Sequence, residues 1–298
     1  MELNGIPIAD TFAEGFGMVA TRVWITAATS AWAERAARAF VGFGTSVIAC
    51  GVEAAVERPL SAEETPDGRV GCSALLFAVD RGTLEKQVVR RLGQCVLTCP
   101  TTAAFSGLDR EPRIALGSKV RQFGDGWQIS KWIDGRRYWR IPVMDGEFLC
   151  EATAGTQRGV GGGNYIVLAK DALAAANACE VAYQAMATVR DCITPFPGGV
   201  ARSGSKVGSK YRGLLASTND AFAPTLRGVC DSLLPDAAGA ALEIVIDGLT
   251  VDAVRSAIEV GIRAVCAVGR DLGVVGITAG NYGGKLGQYQ FALREVLG

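Results

Sequence analysis

The sequence predicts an α+β chain made of two ferredoxin-like lobes, each a split β-α-β arrangement carrying β-hairpin insertions. Three observations predict it. A strand-helix-strand pattern occurs four times along the 298 residues. Two such units interleave into one four-stranded antiparallel sheet with both helices on a single face, because each parallel crossover is right-handed. The stretches between units are longer than a bare hairpin needs, and too interrupted for the alternative, a doubly wound nucleotide fold.

The elements follow in order. "RVWITAA" is β-branched and aromatic, Thr29 and Ser30 are good caps, and Trp32, Ala36, Ala39 and Phe40 fall at helical spacing before "TSVIAC", expected as the closing strand. The second unit is "CSALLFAV", a helix from about Thr83 with Leu84, Val88 and Leu92 on one face, then "QCVLTC" as a strand. Asp134-Gly135, flanked by aromatic and β-branched runs, signals a two-residue hairpin. The glycine-rich "AGTQRGVGGGN" is taken as the boundary, giving lobes 1–155 and 156–298. "NYIVLA", an alanine-rich helix opening at Asp171, and "CITPF" make the third unit. The fourth is "LEIVIDGL", a helix capped by Thr250 with Val251, Val254, Ile258, Ile262 and Val265 along one stripe, then "VVGITAG".

Composition narrows the chemistry. Lys plus Arg and Asp plus Glu both count 30, so no bulk field draws in nucleic acid or an anionic membrane. The start "MELNGIPIAD" reads as neither signal nor transit peptide, and no apolar window of about 18 residues spans a bilayer. Nine cysteines, an odd number scattered through apolar segments, read as reduced core thiols and place the chain in the cytoplasm. The pair Cys95 and Cys99 has poor zinc spacing, and no metal site is predicted. The chain has no histidine, which removes Ser-His-Asp and Cys-His nucleophile systems and leaves proton transfer to a carboxylate, lysine, tyrosine or thiol.

Three stretches are candidates for a site. "PFPGGVARSGSKVGSK" combines Gly198 and Gly199 with Ser203, Ser205, Lys206, Ser209 and Lys210. Such a loop suits a carboxylate, a phosphate or a developing oxyanion; the bland reading is a long surface turn. It is not a P-loop, since Gly204 is followed by Ser205 and Lys206 instead of Lys then Ser or Thr. Glu243 interrupts an apolar strand, either as an exposed strand-end carboxylate or as one desolvated enough to stay protonated near neutrality and donate to a carbonyl oxygen. "GVGGGN" and "GNYGGKLG" each set an asparagine beside flexible backbone, as an amide donor to a flat heterocycle or as an ordinary lobe-end turn. "KWIDGRRYWR" interleaves basic and aromatic residues, but its tight turn fits a hairpin face better than a nucleic-acid surface.

Eleven ordered blocks, among them "DTFAE", "FGTSVI", "GQCVLTCPTTAAF", "PFPGGV", "SGSKVGSK", "ASTND", "EIVI" and "ITAGNYGGKLG", make nearly the whole chain resemble the formylmethanofuran:tetrahydromethanopterin formyltransferase family. The resemblance implies two ferredoxin-like lobes assembled as a homodimer or homotetramer. It implies transfer of a formyl group between N5 of tetrahydromethanopterin and the amine of methanofuran (methylofuran), both coenzymes acting as substrates, with no metal or bound redox cofactor. It makes Glu243 the acid and puts Gly198, Gly199, Ser203, Ser205, Lys206, Lys210, Asn219 and Asn281 around the substrates. The neutral, alanine-rich composition looks like a bacterial, methylotroph-type member, similar to the D subunit of a formyltransferase/hydrolase complex with A, B and C subunits acting in formaldehyde oxidation to formate. The alternative is a coenzyme-binding scaffold subunit that keeps the fold without turnover.

Overall fold

In the computed structural model, which describes residues 1–298, the first long element is a fifteen-residue strand, β1 (Phe12–Thr26). Its sequence serves two units. Met18–Gly159 form one, and Met1–Gly17 with Val160–Gly298 form the other.

In the first unit β1 is followed by α1 (Ser30–Val41), β2 (Val52–Leu60), β3 (Gly71–Ala78), α2 (Arg81–Arg91) and β4 (Ala103–Ser106). The strand order is β2-β3-β1-β4, antiparallel throughout. Thr29 caps α1 by accepting from the Trp32 N–H at 3.3 Å, and Asp80 caps α2 by accepting from the Thr83 N–H at 2.9 Å. The buried face of α1 is Ala33, Ala36, Ala37 and Phe40, not the expected Trp32, Ala36, Ala39 and Phe40. Small alanines let the helix sit close to the sheet, while Trp32 lies outside with the Arg35 guanidinium 4.8 Å above its ring.

Two expected strands are helical instead. In "TSVIAC" only Thr45–Ser46 is extended; Val47–Cys50 forms a single turn, capped by Ser46 and ended by Gly51 at a φ of 71°. "QCVLTC" begins within a helical continuation of α2 over Leu92–Val96, which carries the buried stripe Leu84, Val88, Leu92 on to Val96. The four-residue spacing of that stripe extends to Val96, so the helix runs one turn longer and β4 closes the unit. The hairpin forms at the expected turn: β5 (Ile129–Ile133) and β6 (Arg136–Val143) flank Asp134 at φ 49° and Gly135 at φ 74°, the signs of a type I′ turn. β7 (Gly146–Glu151) then pairs antiparallel with β6 and parallel with β4.

The glycine-rich stretch expected as a boundary is the interior of a seventeen-residue strand, β8 (Thr153–Ala169). Its register shifts between Val160 and Gly163, with Gly162 at φ 79°. The units divide at Gly159/Val160, and residues 1–17 belong with the C-terminal part rather than with an N-terminal lobe of 1–155.

The second unit continues from β8 through α3 (Ala172–Met186), β9 (Cys192–Ile193), β10 (Val200–Ala201), the short hairpin β11 (Lys206–Val207) with β12 (Ala216–Ser217), β13 (Ala240–Gly248), α4 (Val251–Leu272), β14 (Val274–Thr278) and β15 (Tyr289–Ala292). The main strand order is β9-β13-β8-β14, again antiparallel. Residues Phe12–Gly15 pair with β15, which ties the N-terminus to this unit. Asp171 and Thr250 cap α3 and α4 as expected. α4 buries Val254, Ile258, Ile262 and Val265, and Gly163 makes room for it, since a Cβ there would stand 2.3 Å from Val254 Cγ1. No helix is long and apolar enough to cross a membrane.

Candidate active site

Glu243 sits on β13 with a neighbouring strand on each side. It pairs opposite Ile166 of β8 and opposite Ala201 of β10. The second pairing brings the serine- and glycine-rich loop to the acid, because the chain leaves β10 directly into Arg202, Ser203 and Gly204. Gly198 and Gly199, at φ 62° and 78°, make the turn that feeds β10. The Gly199 N–H donates to the Phe196 carbonyl at 2.8 Å, and a Cβ on Gly199 would stand 2.7 Å from the Tyr183 ring. These two glycines therefore aim the loop and do not line the cavity.

That cavity, about 150 Å³, is lined by Glu243, Ile166, Ser203, Gly204, Asn219 and Phe222, among others. Two glycines face the carboxyl. A Cβ on Gly280 would lie 3.3 Å from Oε1, and one on Gly204 would lie 3.7 Å from Oε2. No group of the chain hydrogen-bonds or ion-pairs with the carboxyl, and burial alone pushes it up from 4.5 to about 7. At neutral pH a large share of the side chain is thus still the carboxylic acid, with an O–H to give. Of the expected residues, Ser203 and Asn219 share the cavity with it.

The others stand elsewhere. Ser205 Oγ lies 3.5 Å from the Tyr282 hydroxyl. Lys206 is ion-paired with Asp220 and is not a free cation. Lys210 is exposed on the far side of β11 in sequence, within the loop to β12. Asn281 gives its amide N–H groups to Thr11 Oγ1 (3.2 Å) and the Phe12 carbonyl (3.0 Å). Asn164, the asparagine of "GVGGGN", donates to the carbonyls of Gly162 (3.2 Å) and Gly280 (3.0 Å) and accepts from the Gly280 N–H (2.6 Å). Both asparagines spend their donors inside the chain; "GNYGGKLG" forms a loop after β14, whereas "GVGGGN" lies within β8 and is not the expected turn.

The sequence reasoning missed Glu14, which lies in β1 with 1% of its surface exposed. Oε2 accepts from the N–H groups of Tyr282 (2.7 Å) and Gly284 (3.0 Å), and Oε1 from Leu286 (2.7 Å) and Gly287 (2.6 Å). Burial works to raise its pKa, but the four donors outweigh it and hold the carboxyl below the usual range. The signal was the same as for Glu243, a lone acid in an apolar strand. No group of three or more acid or thiol side chains is gathered to hold a metal ion.

Comparison with known proteins decides the family. The family model for formylmethanofuran-tetrahydromethanopterin formyltransferase matches residues 1–143, and that for the proximal lobe of the same family matches residues 146–296. The chain belongs to the formylmethanofuran:tetrahydromethanopterin formyltransferase family. Family relatives include a formyltransferase of Methylobacillus flagellatus, 58% identical over 100% of both chains. Another is the D subunit of the formyltransferase/hydrolase complex of Methylorubrum extorquens, 47% identical over 99% of this chain and 97% of the relative. Among solved structures, the crystal structure of the M. extorquens FhcABCD complex with methylofuran contains a chain with a TM-score of 0.97 and 47% identity, covering 100% of this chain and 99% of that one. The Methanosarcina barkeri formyltransferase aligns with a TM-score of 0.93 at 44% identity, over 99% of this chain and 100% of that one.

Proposed function

We propose that this formyltransferase-family chain moves a formyl group between N5 of tetrahydromethanopterin and the amine of methanofuran or methylofuran, with Glu243 as the acid. The observation that carries the reading is the unpartnered Glu243 carboxyl between Gly204 and Gly280, raised to about 7. Family membership and full-length identity to named formyltransferases support the substrates.

The chemistry asks for little else. The acceptor nitrogen attacks the formyl carbon, a C–N bond forms, and the carbonyl π electrons move onto oxygen. A protonated Glu243 donates to that oxygen and stabilises the tetrahedral intermediate. Collapse restores the C=O bond and breaks the C–N bond to the departing nitrogen, which takes up the proton released by the incoming one. The exchange is redox-neutral, and positioning two nitrogens on one carbon supplies much of the acceleration. Ser203 and Asn219 border the cavity and serve in this reading as substrate contacts. Gly198 and Gly199 set the loop's path, Ser205 lies at its rim, and Lys206 and Lys210 remain candidates for coenzyme carboxylates. Asn281 enters through the loop it holds.

The same reading takes each lobe as ferredoxin-like, since both units have a β-α-β-β-α-β order with interleaved strands. It takes the coenzymes as substrates without a resident cofactor, the chain as a cytoplasmic homo-oligomer, and a complex with A, B and C subunits as its setting, by likeness to the M. extorquens relative. Purified protein given formyl-tetrahydromethanopterin and methylofuran tests it. Transfer is expected, with Glu243→Gln and Glu243→Ala losing about 10² to 10³ in kcat. Turnover should fall as pH rises through about 7, where the acid loses its proton. Wild-type turnover in both variants removes Glu243 from the mechanism; tight coenzyme binding without transfer makes the chain a scaffold.

A further inference from the structure

We propose that Asn164 is a positioning residue for Glu243: its side-chain amide clamps the Gly280 peptide from both sides and so holds a bare backbone wall against the Glu243 carboxyl. This rests on Glu243 being the acid of the proposed reaction. Asn164 and Glu243 lie on one face of the sheet, since Ile166 pairs opposite Glu243 and Asn164 is two residues away on the same strand. Asn164 is 6% exposed, and its carbonyl oxygen accepts from the Gly280 N–H while its amide donates to the Gly280 carbonyl. The remaining amide hydrogen goes to the Gly162 carbonyl in the β8 bulge, which fixes the amide's orientation. An amide gripping both polar groups of one residue leaves that residue no freedom to swing away.

The residue so gripped is Gly280, whose missing side chain faces both groups. A Cβ on Gly280 would stand 3.3 Å from Glu243 Oε1 and 3.3 Å from Asn164 Oδ1. The wall stands beside Oε1 and takes up part of its surroundings, yet it offers no donor to the carboxyl. The arrangement therefore reduces solvation of the carboxyl without replacing it, which favours a neutral acid. The charged and titratable groups on the surrounding elements do not account for its state. Arg202 is exposed, Lys206 and Asp220 pair with each other, Asp247 lies four residues further along β13, Glu14 is occupied by the loop N–H groups, and Tyr282 and Lys285 lie beyond Gly280. Desolvation is the single cause of the raised value.

Titration of the Glu243 carboxyl, followed by its infrared stretch and assigned with Glu243→Gln, tests the assignment without requiring turnover. Asn164→Ala releases Gly280 and admits water, so the midpoint should fall from about 7 toward 4.5, by about 1 unit or more. Gly280→Ala retains the Asn164 amide and sets a methyl 3.3 Å from both Oε1 and Asn164 Oδ1, crowding the carboxyl further; Gly280 has no left-handed φ to forbid it, so the midpoint should rise. Opposite shifts from two neighbouring variants are not expected of a residue that only supports the fold, which would lower the melting temperature and leave the midpoint alone. An unchanged midpoint in folded Asn164→Ala overturns the proposal. If that variant does not fold, an unchanged midpoint in Gly280→Ala does so instead. Full activity in Glu243→Gln would remove the catalytic reading yet leave this titration to stand or fall by itself.

Discussion

Glu14 and Glu243 are two acids set in apolar strands of the same unit, and they come out with opposite protonation. Glu14 is the more deeply covered, yet its carboxyl stays below the usual range because four backbone N–H groups of residues 282–287 point at it. Glu243 borders the next residues upstream, near Gly280, and meets no donor, so its carboxyl rises to about 7. Burial sets the cost of a charge; the donors decide whether the charge is kept. One acid thereby becomes a fastener for a loop, and the other holds its proton up to about 7.

The largest effect that would break this comparison is at Glu14. Glu14→Ala leaves four buried or half-buried N–H groups without their acceptor, and unsatisfied buried donors cost about 1 to 3 kcal/mol each before water relieves some of them. A loss of about 3 kcal/mol or more is expected in urea unfolding. Glu14→Gln keeps one acceptor oxygen and should lose less. A loss under about 1 kcal/mol for Glu14→Ala would mean that the loop holds itself and the contrast with Glu243 is accidental.

Glu243 should show the reverse sign. The unfolded chain releases this proton near 4.5, whereas the folded chain keeps it to about 7, so between those values the folded state binds more protons and stability falls as pH rises. At pH 8 the whole cost is present, on the order of 1 to 3 kcal/mol. At pH 4 both states are protonated and the cost is absent. Glu243→Gln, which cannot ionise, should therefore stabilise the protein at pH 8 and leave it nearly unchanged at pH 4. Paired urea titrations at the two pH values check this, and equal effects at both would show that the carboxyl is solvated after all.

How far the sequence discloses these features depends on whether their cause is local. Thr29, Asp171 and Thr250 cap their helices through bonds three residues long, and Asp134-Gly135 needs only its own φ angles, so all four are legible. The apolar runs "TSVIAC" and "QCVLTC" are not, because a short apolar stretch has no period to separate strand from buried helix. The glycines of β8 read as a linker because the reason for Gly163 is Val254 on α4, far along the chain. The site divides the same way. A lone acid among Leu242 and Ile244 marks Glu243, but an equal mark at Glu14 discloses nothing of its role, since its donors come from the opposite end of the sequence. Asn164 and Asn281 look like donors for a ligand until the carbonyls that use them, Gly280 and Phe12, come into place.

The smallest effect concerns the two lysines of the loop after β10, where the same rule acts near the surface. Lys206 holds Asp220, and the side-chain hydrogen bond from that lysine is the main cause that keeps the Asp220 carboxyl below its usual range. A lowered acid contributes stability above its unfolded value of 3.8, and that contribution is lost as pH falls through the folded value. Lys206→Met should therefore lower the melting temperature slightly at neutral pH, with the difference vanishing in acid, because exposed pairs are worth little. Lys210, exposed and outside that pair, should give no stability change when replaced by Met. If coenzyme carboxylates are met by the free cation, Lys210→Met raises KM with kcat unchanged, while Lys206→Met moves KM less. The opposite order would show that the ion pair opens to receive substrate, and that a donor already committed inside the chain can still be recruited.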